Sequence, residues 1–481
     1  MEEQHLPPTI VHEKRLRARP SVENEDRIGV DEALERVASR ALPQAPDAPD
    51  RLAVGVEPER FAVEHDSDGC PVRRLPLLGT GGVLDSIDAH RDSASFEPRD
   101  PERVPPLVAL RGGGSLTFEP GAQIEHSTAV HDGASAALDD VQRIADELEG
   151  VFGDRRVALV SLGIDPWSTP EDVPQQLDAP RYRAMASYFD RVADSGPWMM
   201  RLSCSLQVNV DLGTGRTREE RWLLANLLSP ALVASFSTSP ELDGEAHFHC
   251  RRARVWQTID PTRTGFPRGL LANDGRDPGE QYADLVLDAD VMLFRTAEGA
   301  VAGRPGFSFR EWIQNGHPEH GFPTAADLEY HLTTVFPEVR ARGFLELRAI
   351  DALPTCWQPA AVAFVCGLLY DDQARGAALE RLAGGRAELH QRWWDAAEHG
   401  YDVAGLRDES DFLWRTALEG AERLGVDFLR ANHLAEARAF AERFPLRGRA
   451  PADELRESRS GDPCAALRWA VGSACEAFAR P

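Results

Sequence analysis

Residues 115–127 read SLTFEPGAQIEHS. Two short strand-like pieces pivot on Pro120-Gly121, and Glu119, Gln123 and Glu125 fall at odd spacings. Successive side chains of an extended chain point to opposite faces, so Gln123 and Glu125 share one face, and Glu119 rejoins it where the Pro-Gly turn keeps phase. Two carboxylates inside a strand need a positive partner, because burying an unpaired charge is costly. Mg²⁺ suits this set, since it prefers carboxylate oxygens and works beside substrate phosphates. The competing reading is an edge strand with a solvated acidic face.

Other stretches repeat the pattern. LAVGVEPERFAV (52–63) reads as a strand with Glu57 and Glu59 on one face, and two acidic strand faces point to a common metal-filled cleft. MMRLSCSLQVNVDLG (199–213) reads as one long strand in which Gln207, Asn209 and Asp211 alternate with Leu206, Val208 and Val210, a polar face able to hydrogen-bond a polar ligand. VALVSLGID (157–165) reads as a buried strand, and GFLELRAID (343–351) as one that places Glu346 and Arg348 on the same face. CRRARVWQTIDPTRTG (250–265) gathers Arg251, Arg252, Arg254 and Arg263 beside Trp256, and the arginine fork matches carboxylate and phosphate. RGGGS (111–115) lacks the phosphate-loop pattern and leads into a strand, so its glycines suit a hairpin.

Helical periodicity marks 30–42, 136–152, 181–193, the REERWLLANLLSPALVASFS segment and 325–336, with a short helix near LLGTGGVLDSIDAH and another at FREWI. Beyond about residue 366 the chain is rich in Ala, Arg, Glu and Leu with repeated helical patterns. The 481 residues divide into an extension with one helix (1–50), a core (51–375) and a helical carboxy-terminal region (376–481). Net charge is −25, and Lys14 is the single lysine among 53 basic residues, which argues against nonspecific binding to nucleic acid or an anionic membrane. The seven cysteines are scattered, without CxxC or zinc spacing, and predict a reducing compartment with no defensible pair. The amino terminus has no apolar signal region and no stretch approaches the ~18 apolar residues of a membrane span, so the expected location is cytoplasmic.

The order of GVEPERF, LTFEPGAQIEHS, RYRAMASY, MMRLSCSLQVNVD, CRRARVWQTIDPTRTG, HLTTVFPEVRARGFLELRAID and GLLYDD resembles that of the glutamate–cysteine ligases, in the branch that includes the ergothioneine-pathway enzyme. The resemblance covers about residues 51–375. It implies an α+β fold of the glutamine synthetase/guanido kinase type, a curved, largely antiparallel sheet forming a funnel backed by helices. It also implies ATP and two or three Mg²⁺ ions, which neutralise a triphosphate while the γ-carboxylate of glutamate is phosphorylated and the amine of cysteine displaces phosphate. By position, Glu57, Glu59, Glu119, Glu125 and Glu346 become metal ligands, with Gln123 supporting ATP or metal binding. His331 and Arg348 face nucleotide or transferred phosphate; Arg252 holds glutamate with Trp256 as a wall and Arg263 assisting; Gln207 and Asn209 line the site. Arg348 and Arg252 are the expected catalytic groups, in a monomer or homodimer.

His126, Thr238, Cys250 and Ala349-Ile350 depart from the family pattern, where an apolar residue, Asn, Ser and Gly-Ala are expected. They leave open a different amine acceptor from a natural-product pathway. A homologue that binds ATP and amino acid without turnover is the further alternative.

Overall fold

The alternation Val-Gly-Val-Glu-Pro-Glu-Arg-Phe sets the centre of the molecule. In the computed structural model, which describes residues 27–44, 52–92, 94–153, 155–241, 248–459 and 464–473, strand β1 spans Val54–His65. Val54 and Val56 enter the core while Gly55, Glu57 and Glu59 take the other face. The other strands are β2 (Pro71–Arg74), β3 (Leu107–Ala109), β4 (Ser115–Phe118), β5 (Ile124–Ser127), β6 (Val157–Val160), β7 (Leu206–Asp211), β8 (Leu293–Thr296), β9 (Gly299–Ala302), β10 (Val339–Ala341) and β11 (Phe344–Leu347).

The main sheet runs β10-β11-β7-β1-β5-β4-β3, with β2 and β6 also on β1, and its pairings are antiparallel. Strand β1 pairs with β7 over residues 54–58, with β5 at Glu59 and Arg60, and then with β6 and β2. A strand that changes neighbours along its length makes the sheet wrap, in keeping with the natural twist of strands. This is the expected α+β architecture with a curved antiparallel sheet. Strands β8 and β9 form a separate hairpin.

The FEPGAQ turn keeps Glu119 on the acidic face. Glu119 N–H donates to the Gln123 carbonyl at 3.0 Å, Ala122 N–H to the Glu119 carbonyl at 2.9 Å, and Ala122 sits at φ 65°. A Cβ on Gly121 would lie 2.1 Å from the Arg201 carbonyl oxygen, so only glycine lets the two backbones approach.

Helices cover the other side. Ala134–Phe152 buries Ala137, Leu138, Val141, Ile144 and Leu148 along one stripe. Every residue of Gln358–Tyr370 is buried, as expected for a helix that is apolar all round. It is enclosed by Leu406–Arg423 and Ala431–Arg443, and Gly420 stands so near that a Cβ there would lie 2.3 Å from the Gly367 carbonyl oxygen. One cluster of buried side chains runs from Val56, Leu206 and Leu347 through Phe364 to Trp414 and Phe440, so helices beyond residue 375 share a core with the sheet. Among the described residues no helix is long and apolar enough to cross a membrane.

Three expectations are corrected. Residues 199–213 are not one strand: Pro197 opens helix Gly196–Leu202, and β7 begins only at Leu206. The strand expected over 157–165 is regular only over Val157–Val160, beyond which Ile164 makes a single bridge to Ser203. Cysteines do pair: Cys70 is bonded to Cys464 across 394 residues, and Cys356 is also disulfide-bonded, a proximity that spacing along the chain does not reveal. Cys204, Cys250 and Cys366 are free and buried. The polar amino-terminal extension up to residue 26 and most of the PQAPDAPD break lie outside the described residues.

Replacing Gly121 with Ala forces the turn away from Arg201. Urea unfolding of Gly121→Ala is expected to show a loss of about 1–3 kcal/mol or more, the usual cost of overpacking.

Candidate active site

Register places the polar residues opposite one another. Glu57 faces Gln207, Glu59 faces Glu125, Glu125 faces Thr117, and Glu346 faces Asn209 on one side and Arg340 on the other. Directly opposed side chains lie on the same face, so β1, β4, β5, β7, β10 and β11 together supply one polar surface.

Gln207 joins its halves. Its Nε2 donates to Glu59 Oε1 and Glu125 Oε1, each at 3.2 Å, while its Oε1 accepts from Arg348 Nη1 at 2.8 Å. Glu59 also accepts from Ser205 N–H and Ser205 Oγ, both at 2.8 Å, and Glu125 accepts from Thr117 Oγ1 at 2.6 Å. Asn209 Nδ2 donates to Glu57 Oε1 at 2.7 Å. Glu346, fully buried, takes a two-pronged contact from Arg340 at 2.9 and 2.7 Å and a further hydrogen bond from Arg348.

The charges are unevenly compensated. Burial works against ionisation of Glu346, yet Arg340, Arg348 and Arg342 outweigh it and hold the carboxyl down at about 2. At the other end burial, with Glu346 and Glu125 adding repulsion, pushes Glu57 up to about 7. Burial together with Glu125 and Glu59 pushes Glu119 up to about 8. Burial likewise raises Glu59 and Glu125. Burial therefore outweighs the pull of Arg340, Arg348 and Arg252 at Glu57, Glu59, Glu119 and Glu125, none of which forms an ion pair among the described residues, whereas at Glu346 the arginines win.

Helix Arg251–Ile259 closes one side. Arg252 donates to the Arg348 carbonyl at 3.0 Å and the Ile350 carbonyl at 3.4 Å, lies 3.7 Å from Asp351, and stacks 4.6 Å from the Trp256 ring. Arg252 Nε, Trp256 Nε1, Arg348 Nε and Asn209 Oδ1 are buried without a hydrogen-bond partner, which marks polar groups left for a ligand.

The structure thus brings Glu57, Glu59, Glu119, Glu125, Glu346, Gln207, Asn209 and Arg348 onto one face, with Arg252 and Trp256 beside it. It does not bring the other three candidates there. Gln123 is spent on the turn, accepting from Gly121 N–H at 2.9 Å and donating to the Ser203 carbonyl at 3.0 Å. His331 is buried with its Nε2 2.8 Å from the Val286 carbonyl and its ring stacked on Phe309. Arg263, wholly buried, binds Asp260, the Thr334 and Asp290 carbonyls and the Tyr188 hydroxyl, so its donors hold loops together.

Sequence reasoning missed Arg340 and Glu338. Arg340 pairs with Glu346 across a tight hairpin closed by Gly343 at φ 78°, and the short Arg342-Gly343 link between β10 and β11 is the available signal. Glu338 is buried and pushed by that burial up to about 7, against the pull of Arg252 and Arg348. Nothing in its local pattern distinguishes it.

A carboxylate-rich sheet face flanked by arginines and unpartnered donors is compatible with the chemistry of a carboxylate–amine ligase, and similarity to known proteins gives that class. The family model described as glutamate–cysteine ligase family 2 (GCS2) matches residues 53–467, and the chain belongs to that family. Its match extends past residue 375 into the carboxy-terminal helices. A curated relative, glutamate–cysteine ligase EgtA from Mycolicibacterium smegmatis, is 35% identical over 78% of this chain and 86% of its own. The chloroplastic glutamate–cysteine ligase of Arabidopsis thaliana is 28% identical over 84% of this chain and 77% of its own. Among solved structures, a bifunctional glutathione synthetase from Pasteurella multocida aligns with TM-score 0.45 and 12% identity over 94% of this chain and 54% of that one.

The raised carboxyls have a pH signature. A carboxyl whose folded pKa exceeds its unfolded value stabilises the fold below the unfolded pKa and loses that contribution as pH rises through the folded pKa. The buried histidines His126 and His331, lowered by burial to about 3, act in the opposite sense until the unfolded imidazole has lost its proton, at about pH 7.5. Without divalent cation, stability measured by urea titration is expected to fall as pH rises from about 7 to 8, through the raised values of Glu57, Glu338 and Glu119, and Glu57→Gln to flatten that fall.

Proposed function

We propose that the protein uses ATP to phosphorylate the γ-carboxylate of glutamate and joins that carbon to the amine of cysteine, giving γ-glutamylcysteine for a low-molecular-weight thiol. The observation that carries this reading is the face on which the buried Glu57, Glu59, Glu119 and Glu125 form no ion pair among the described residues while Arg348 and Arg252 stand alongside.

Mg²⁺ fits that donor set. The candidate ligands are all carboxylate oxygens, burial raises each of them, and none forms an ion pair among the described residues. Among the described residues no three acidic, His or Cys side chains already close around one ion. That suits a metal held by one or two carboxylates and completed by substrate phosphates and water. Glu57, Glu59, Glu119 and Glu125 would be shared among such ions, one or two carboxylates to each, with Glu346 engaged by arginine. When bound, Mg²⁺ neutralises phosphate oxygens and polarises the transferred group.

The remaining work falls to the chain. Arg348, fixed by Gln207 and Glu346, presents positive charge to the phosphoryl group as charge moves onto the leaving ADP. Arg252 binds a carboxylate of glutamate, and Trp256 supplies the wall and an indole N–H. The acyl phosphate that results is open to attack by the amine at the γ-carbon. The C–N bond forms, the C–O bond to phosphate breaks and the amine loses a proton.

Cysteine is favoured over an altered acceptor because the curated relatives are named glutamate–cysteine ligases. His126, Thr238, Cys250, Ala349 and Ile350 are all buried. Thr238 Oγ1 accepts from Gly163 N–H at 2.8 Å, and Cys250 Sγ lies 3.5 Å from Asp351. A cytoplasmic location, which rests on the amino-terminal sequence alone because the cysteines pair, and a monomeric or dimeric state complete the proposal.

With Mg²⁺·ATP, ADP release is expected to require both glutamate and cysteine, to yield γ-glutamylcysteine, and to fall at least about a hundredfold in Glu119→Gln. Product with another amine but not with cysteine would reassign the acceptor, and calorimetry showing no Mg²⁺·ATP binding would leave a non-catalytic homologue. In thermal unfolding at pH 8, Mg²⁺ alone is expected to raise the midpoint of the wild type more than that of Glu57→Gln, because bound cation stabilises the native state by mass action.

A further inference from the structure

Helix Arg251–Ile259 has a second polar face. At 100° per residue, Arg252 and Trp256 lie on one stripe and Arg251, Arg254, Val255 and Thr258 on another about a third of a turn away. The second stripe borders a cavity of about 350 Å³, within the ~300–1,000 Å³ typical of small-ligand sites.

Its charges do not cancel pairwise. Arg251 lies 3.8 Å over Trp198 and pairs with Glu241 at 3.4 Å. Arg254 stacks 4.4 Å from Trp394 and 5.3 Å from Phe248, yet meets no carboxylate among the described residues, in a chain of net charge −25 where most arginines find one. Asp194, also lining the cavity, is exposed and has no cationic partner among the described residues. Among the described residues Arg254 and Asp194 are thus left without an ion-pair partner, and both line the cavity together with Trp198 and Val255. Stacking on aromatic rings orients Arg254 without consuming its hydrogen-bond donors.

We propose that this cavity is a second small-molecule site, for a zwitterionic amino acid or short peptide with an apolar side chain. Arg254 takes the ligand carboxylate, Asp194 its ammonium, and Trp198 with Val255 its side chain. The site is separate from the acidic sheet face and does not depend on the ligase reading.

The test is calorimetry on the full-length protein saturated with glutamate, with L-leucine, glycyl-L-leucine, L-leucinamide, N-acetyl-L-leucine and inorganic phosphate as probes. Saturable binding of leucine or the dipeptide is expected, the tighter of the two naming the free amino acid or the peptide. Binding should weaken at least about tenfold for leucinamide and N-acetyl-leucine, and by as much in Arg254→Gln and in Asp194→Asn. ATP-dependent turnover should be unchanged in both variants. Absence of saturable heat with leucine and the dipeptide, binding that persists in Arg254→Gln, or phosphate or N-acetyl-leucine binding as tightly as leucine would each overturn the proposal.

Discussion

Like charges gathered in a recess dominate this molecule. Glu57, Glu59, Glu119 and Glu125 come from three separate segments; burial makes each harder to ionise, and repulsion from neighbouring carboxylates adds to it at Glu57, Glu119 and Glu125. A fold tolerates such a cluster only if the backbone beneath it is firmly held, because relaxing the crowding is otherwise the easiest way to lower the energy. The hydrogen bonds of Gln207, Ser205 and Thr117 hold two of the carboxylates in place without neutralising them. Only Glu346 is given full ionic company, so the face is polarised from an arginine end to an acidic end.

The reverse of the sheet avoids a matching problem by staying neutral or apolar where it can. His126 alternates with Glu125, is wholly buried, and is kept uncharged by burial with nearby Arg60 adding to the effect. Behind it, the all-buried helix Gln358–Tyr370 and the helices around it tie sheet and carboxy terminus into one core. The Cys70–Cys464 bond adds a covalent tie between the same two regions.

Much of the acidic face was legible because strand alternation is a local rule. Glu57 with Glu59, and Glu346 with Arg348, were placed together by counting in twos, and Glu119 joined them through a turn that Pro120-Gly121 signalled. What local rules could not supply was the direction of side chains whose partners are distant. Gln123 looked like a site residue by spacing, but it folds back onto its own turn and the Ser203 carbonyl. Arg263 and His331 carry suitable chemistry, and only tertiary contacts reveal that Asp260, Tyr188 and Val286 have claimed them. The segment 199–213 misled for another reason: its apolar run has no period that separates a short helix from a strand, and Pro197 just upstream decided the matter.

Strand β1 acts as a common ruler for β2, β5, β6 and β7, and this restricts how the sequence can vary in length. Adding or deleting one residue within 55–60 would rotate the remainder of the strand by half a pleat, turning glutamates into the apolar interior and Val56 or Phe61 toward water. Four neighbours would have to slip together to absorb the change. Strands β8 and β9 pair only with each other, so a change of length there would leave the register of β1 and its neighbours untouched, even though the hairpin itself packs through Leu293 and Phe294 into the buried core.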